Sequence, residues 1–168
     1  DKLPVRSIKS LQDAERIFQE QLRKCRTGYF DFYLLHALNR GNWETVKRCG
    51  LYDFVRRMQK EGKIRYVGFS FHDSPDVLKT IAEAHPWDFV QLQINYLDWH
   101  NYRSREQYEI VTKLGIPVIV MEPLRGGTLA TLTPEATKIL KTSAPDASPA
   151  DWAFRYVASL PNVICVLS

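Results

Sequence analysis

The chain has 168 residues, 45% of them hydrophobic and 25% charged, an ordinary globular composition with enough length for one domain around a sizeable core. Lys and Arg total 23 against 19 Asp and Glu, a net charge of +4, and the basic residues are scattered among acids, as where Glu15 precedes Arg16 and Lys60 precedes Glu61. No stripe of basic and aromatic residues recurs, so nucleic acid is not an expected partner. No apolar run approaches the roughly 18 residues of a membrane span, so no membrane is expected either, and the start at Asp1-Lys2-Leu3-Pro4 carries no signal-peptide core. Cys25, Cys49 and Cys165 are odd in number and form no C-x-x-C pair, which reads as reduced thiols and a cytoplasmic location.

In chain order, residues 10–24 read as an amphipathic helix, with Ser10 as cap, Asp13 at capping-box spacing, and Leu11, Ile17, Phe18 and Leu22 on one face. Thr27-Gly28 ends it. Residues 30–36 form an apolar strand, and 37–42, with Asn39, Gly41 and Asn42, a polar loop. A helix buries Leu51, Phe54, Val55 and Met58 and ends at Gly62. Residues 64–71 are the next strand, and Ser74 and Pro75 open a helix to about Ala84, Ser74 as the cap. A strand over 89–94, a helix over 104–114 and a strand over 118–121 follow. A loop with Pro123, Gly126 and Gly127 leads to helices over 134–141 and 149–160 and a last strand over 163–167. His85 and His100 fall in predicted loops.

Strands this apolar are expected to be buried on both faces, which points to a parallel sheet with right-handed crossovers. An open doubly wound sheet and a barrel segment both fit. A glycine fingerprint after the first strand is absent, and Gly126-Gly127 comes late as a plain pair. Polar residues interrupt the strands at their carboxyl ends: His36, then Ser70 and His72, then Gln93 and Asn95, then Glu122, Arg125, Gly126 and Gly127. In parallel α/β folds ligands bind at that end, so four polar strand ends in succession suggest one binding rim. Each also has a plainer reading. His36 is equally a core histidine bonded to a carbonyl, Gln93 a side chain satisfied by backbone, and the glycine pair a turn. No H-x-x-x-H or E-x-x-H spacing suggests a metal, and no G-x-S-x-G suggests a serine hydrolase.

Four segments in order resemble the aldo/keto reductase family: Asp31-Phe32-Tyr33-Leu34-Leu35-His36, Ile64-Arg65-Tyr66-Val67-Gly68-Phe69-Ser70, Val90-Gln91-Leu92-Gln93, and Pro123-Leu124 with the glycines after it. The wording Phe-Ser-Phe-His and Met-Glu-Pro-Leu-Arg-Gly-Gly is similar to the bacterial and archaeal branch that often carries a C-terminal iron–sulfur domain. The resemblance implies an α/β fold, an incomplete (β/α)₈ TIM barrel of parallel strands alternating with helices, with residues 1–168 as one partial barrel domain covering strands four to eight. A full barrel takes about 250 residues.

The resemblance further implies an NAD(P)H-dependent oxidoreductase acting on a small-molecule carbonyl substrate, with NADP or NAD as cofactor. His36 matches the catalytic His. Lys2 matches the catalytic Lys, although Asp1 stands where the family usually has Thr. The family's catalytic Asp and Tyr belong to a strand upstream of residue 1. Ser70 and Gln93 match residues that hold the nicotinamide carboxamide, and Pro123, Leu124, Arg125, Gly126 and Gly127 match the loop beside the pyrophosphate. Phe71 replaces a usual Asn, Met121 a usual stacking Tyr, and the adenosine-side segment would begin beyond Ser168. From this the isolated chain is expected to be inactive, with its Lys2 segment too short to pair, its strand edges open, and self-association or a further segment of the same protein completing it. The rival readings are a noncatalytic cofactor-binding or regulatory protein on the same fold and an unrelated (β/α)₈ enzyme.

Overall fold

The computed structural model describes residues 1–167 and divides into two compact units, the first ending at Gln91 and the second starting at Leu92. In the first unit, strand β1 (Lys2–Leu3) leads through a 3₁₀ turn (Val5–Ser7) into helix α1 (Leu11–Cys25). Strand β2 (Phe30–Leu38), helices α2 (Arg40–Arg48) and α3 (Leu51–Lys60), strand β3 (Ile64–Phe71), helix α4 (Pro75–Ala84) and strand β4 (Phe89–Gln93) follow, β4 crossing the boundary. The second unit adds short helix α5 (Asp98–Asn101), α6 (Ser104–Lys113), β5 (Val118–Met121), α7 (Pro134–Ser143), α8 (Pro149–Ala158) and β6 (Val163–Val166). Strands neighbour one another in chain order, β1 to β6, and β1 with β2, β2 with β3, β3 with β4, and β5 with β6 pair in parallel.

The helices form where the sequence supplies their ends. Ser10 and Asp13 make a reciprocal capping box at α1, and Ser148 and Asp151 make another at α8. Proline begins α4, α7 and α8, where its missing N–H costs no helical bond. On one face of the first unit's strands, Tyr33, Leu35, Val67, Phe69 and Val90 are fully buried. Phe18 of α1 packs edge-on against Tyr33, with ring centroids 5.0 Å apart, and against Phe54 of α3. Alternation sends the intervening side chains to the other face. There Phe32 and Tyr66, in register, remain about 40% exposed, their rings tilted against each other with centroids 5.1 Å apart. Gly68 leaves room on this face for Phe89, since a Cβ at Gly68 would lie 2.7 Å from that ring.

Four expectations are corrected. The Lys2 segment does pair, Lys2 lying opposite Leu34 and Leu3 opposite Leu35, because two residues suffice to extend a parallel ladder whose partner strand is already fixed. Residues 37–42 are not a loop throughout. Strand β2 runs on to Leu38 and α2 starts at Arg40, its N-terminus made by Asn39 and Asn42, which cap each other reciprocally. Ser74 occupies the N-cap position of α4 without making a side-chain cap bond; instead its N–H donates to Asp73 Oδ1 at 2.7 Å. His100 lies in α5 rather than in a loop.

Candidate active site

In the first unit, register aligns the polar residues at the carboxyl ends of the strands. Lys2 lies opposite Leu34, Leu34 opposite Gly68, and Gly68 opposite Phe89, so these side chains share one sheet face. Two residues further along β2, His36 follows Leu34, and two residues further along β3, Ser70 follows Gly68. His36 is exposed, yet its pKa is lowered from the ordinary 6.5, first by partial desolvation and then by the positive charges of Lys2 and Arg6. Lys2 in turn has its own pKa lowered by burial. An imidazole in this setting stays neutral at neutral pH and has an N–H to donate.

Ser70 is fully buried, and its Oγ accepts the Ala37 N–H at 2.8 Å. Its in-register partner on β4 is Gln91, which is 2% exposed. Sequence reading singled out Gln93 and passed over Gln91. The register with Ser70 is what distinguishes the two, and it is a long-range fact that residues 89–93 do not carry locally.

In the second unit, Gln93, Asn95 and the loop after β5 meet at Asp98. This carboxylate is 2% exposed. Its Oδ2 accepts from Gln93 Nε2 at 2.9 Å and from Asn95 Nδ2 at 2.8 Å, and its Oδ1 faces Arg125 Nε at 3.1 Å. Asn95 Nδ2 also donates to the Glu122 carbonyl at 3.0 Å. Three of these contacts compensate the burial of the Asp98 charge, and with the Asn95–Glu122 bond they tie the start of the 122–127 loop to the end of β4. Within the loop Pro123 is buried, Leu124 is half-buried, and Arg125, Gly126 and Gly127 are exposed. Glu122, Arg125, Gly126 and Gly127 all have positive φ, and Glu122 Oε2 accepts the Gly126 N–H at 2.6 Å. Nothing lies within 4 Å of where a Gly127 Cβ would be, so this backbone is open to close approach. Asp98 was missed by sequence reading: a single acidic residue in Asn95-Tyr96-Leu97-Asp98 shows no spacing that marks it.

A family model described as "Aldo/keto reductase family" matches residues 2–168. The chain belongs to the aldo/keto reductase family. Among solved structures it is similar to the holo form of aldo-keto reductase AKR11C1 from Bacillus halodurans, with a TM-score of 0.71 and 25% identity over 94% of this chain and 54% of that one. The glycerol dehydrogenase AKR11B4 from Gluconobacter oxydans superposes with the same TM-score of 0.71 at 17% identity, over 94% of this chain and 54% of that one, a likeness of fold. The chain therefore spans about half the length of these structures, and its α/β fold corresponds to part of the family's (β/α)₈ barrel. The aldo/keto reductase resemblance read from the four sequence segments holds. No helix among the described residues is long and apolar enough to cross a membrane.

Proposed function

We propose that this chain forms part of an oxidoreductase that reduces an aldehyde or ketone by hydride transfer from a reduced nicotinamide dinucleotide, NADP or NAD. The observation that carries the reading is Lys2 beside His36 on one sheet face at the carboxyl ends of parallel strands, the end where such folds bind substrate. His36, kept neutral, donates a hydrogen bond to the carbonyl oxygen and stabilises the negative charge that develops there. Lys2, a half-buried ammonium, favours the ionised form of any acid beside it and so eases proton donation to that oxygen.

The residues present suit a dinucleotide. When bound, it supplies the hydride. Ser70 spends its oxygen on the Ala37 N–H and keeps its own proton to donate to a carboxamide oxygen. Gln91 shares its register position, and Gln93 stands two residues on. In the loop Pro123, Leu124, Arg125, Gly126 and Gly127, the exposed Arg125 guanidinium, paired through Nε with Asp98, and the open space at Gly127 would serve a diphosphate, which would compete with Glu122 for the Gly126 N–H. The exposure of His36 and its lowered pKa support this reading over a plain core histidine. The test has two arms. NADPH titrated into the protein should bind saturably, and in the intact enzyme His36→Ala should lower aldehyde turnover by a hundredfold or so while leaving NADPH affinity nearly unchanged, on the scale of acid–base and electrostatic groups. A folded variant with unchanged turnover would return His36 to a structural role.

A further inference from the structure

The residue after His36 is strained. Ala37 has φ 55, left-handed backbone that a residue with a Cβ adopts at a cost, and the β2–β3 register shifts between Leu35 and Leu38, across this position. Such an outlier persists only where its surroundings hold it. Two side chains do so at short range from opposite sides, and Asn39 Nδ2 reaches the same carbonyl at a longer 3.5 Å. The Ala37 N–H donates to Ser70 Oγ at 2.8 Å, and the Ala37 carbonyl accepts from Asn42 Nδ2 at 2.7 Å. Asn42 is 8% exposed, and its other polar atoms are committed as well: Oδ1 accepts the Asn39 N–H at 2.9 Å, and its own N–H donates to Asn39 Oδ1 at 2.9 Å.

The choice of amide here is informative. At the third position of a helix a carboxylate would accept the Asn39 N–H equally well and would interact better with the helix N-terminus. An amide, unlike a carboxylate, can do that and also donate to the Ala37 carbonyl. We infer that Asn42 and Ser70 are positioning residues that clamp the Ala37 peptide in its left-handed kink and thereby aim His36 at the carbonyl oxygen. Asn42 acts from the start of α2, and Ser70 links the same peptide to the nicotinamide end of the site. The inference rests on the reductase reading of His36 given above.

Asn42→Asp is the discriminating variant, because it keeps the cap of α2 and sets a carboxylate oxygen against the Ala37 carbonyl. Its His36 imidazole resonances, assigned by their loss in His36→Gln, should shift and titrate differently from the parent. Aldehyde turnover should fall about tenfold or more with NADPH affinity within about twofold, as expected when a reacting group is misplaced by a fraction of its reach. Adding Ala37→Gly, which adopts the kink without a clamp, should restore most of the turnover. Unshifted His36 resonances in Asn42→Asp, or no rescue by Ala37→Gly, would overturn the clamp. Shifted resonances with undiminished turnover would confirm the clamp and overturn the role of His36 in the reaction, so the two failures are distinct.

Discussion

The titration of His36 reports its surroundings directly. Its midpoint should lie below 6.5 in the folded protein, and Lys2→Met should move it up without restoring it fully, because partial desolvation is the larger cause and the Arg6 charge remains. The sign for stability follows from the direction. With the folded pKa below the unfolded one, the unfolded chain takes up the proton first, so stability declines as pH falls through about 6.5 toward the folded midpoint. His36→Gln should flatten that part of a pH series of denaturation midpoints; an unchanged slope would refute the assignment. His85 is lowered in the same direction by desolvation, and the parent's slope carries both histidines, so the comparison with the variant is what isolates His36. Asp98 makes a second prediction at this scale. Asp98→Ala strands the amides of Gln93 and Asn95 and the Arg125 cation, and should cost about 3 kcal/mol in chemical denaturation; Asp98→Asn, which keeps one acceptor, should cost less. His36 and Ser70 drew attention in the sequence because polar residues stand out at the ends of apolar runs, and the glycine pair because it follows such a run. Asp98 and Gln91 were not, since their roles arise from burial and register set by distant partners.

Among the elements, β3 carries the sharpest steric demand. Gly68 sits where a Cβ would meet both the Phe89 ring and the Phe89 carbonyl oxygen, the latter at 2.6 Å. Gly68→Ala should therefore force β3 and β4 apart and destabilise the protein by about 1–3 kcal/mol, measured by urea unfolding, despite the usual benefit of replacing glycine. A stabilised variant would show that the ring can move aside. Helix α1 was legible from its Ser10 cap and α4 from its first-turn Pro75, although Ser74 makes no side-chain cap bond. Helix α2 was hidden because Asn39, Gly41 and Asn42 are poor helix formers read one by one, and only as a reciprocal pair do the asparagines mark a beginning. Strand β1 was hidden because two residues carry no periodicity; its position comes from the ladder with β2.

At the scale of the whole molecule, a ligand that binds only the folded state raises apparent stability by mass action. NADPH at a hundred times its dissociation constant should add about 2.7 kcal/mol, read as a rise in the thermal midpoint, and no rise would remove the cofactor from the proposal. The fold class was legible because helices and apolar strands alternate without interruption, whereas the choice between barrel and open sheet depended on the family resemblance, periodicity being the same in both. Strand order equal to chain order has a bearing on synthesis. β1, β2 and β3 each find a parallel neighbour within the first 91 residues, and the helices that cover them lie between them in sequence. Translation thus delivers the pairings β1–β2, β2–β3 and β3–β4 before most of the second unit exists, so these strands can pair while translation continues, and a pause shortly after Gln91 would favour that order of events.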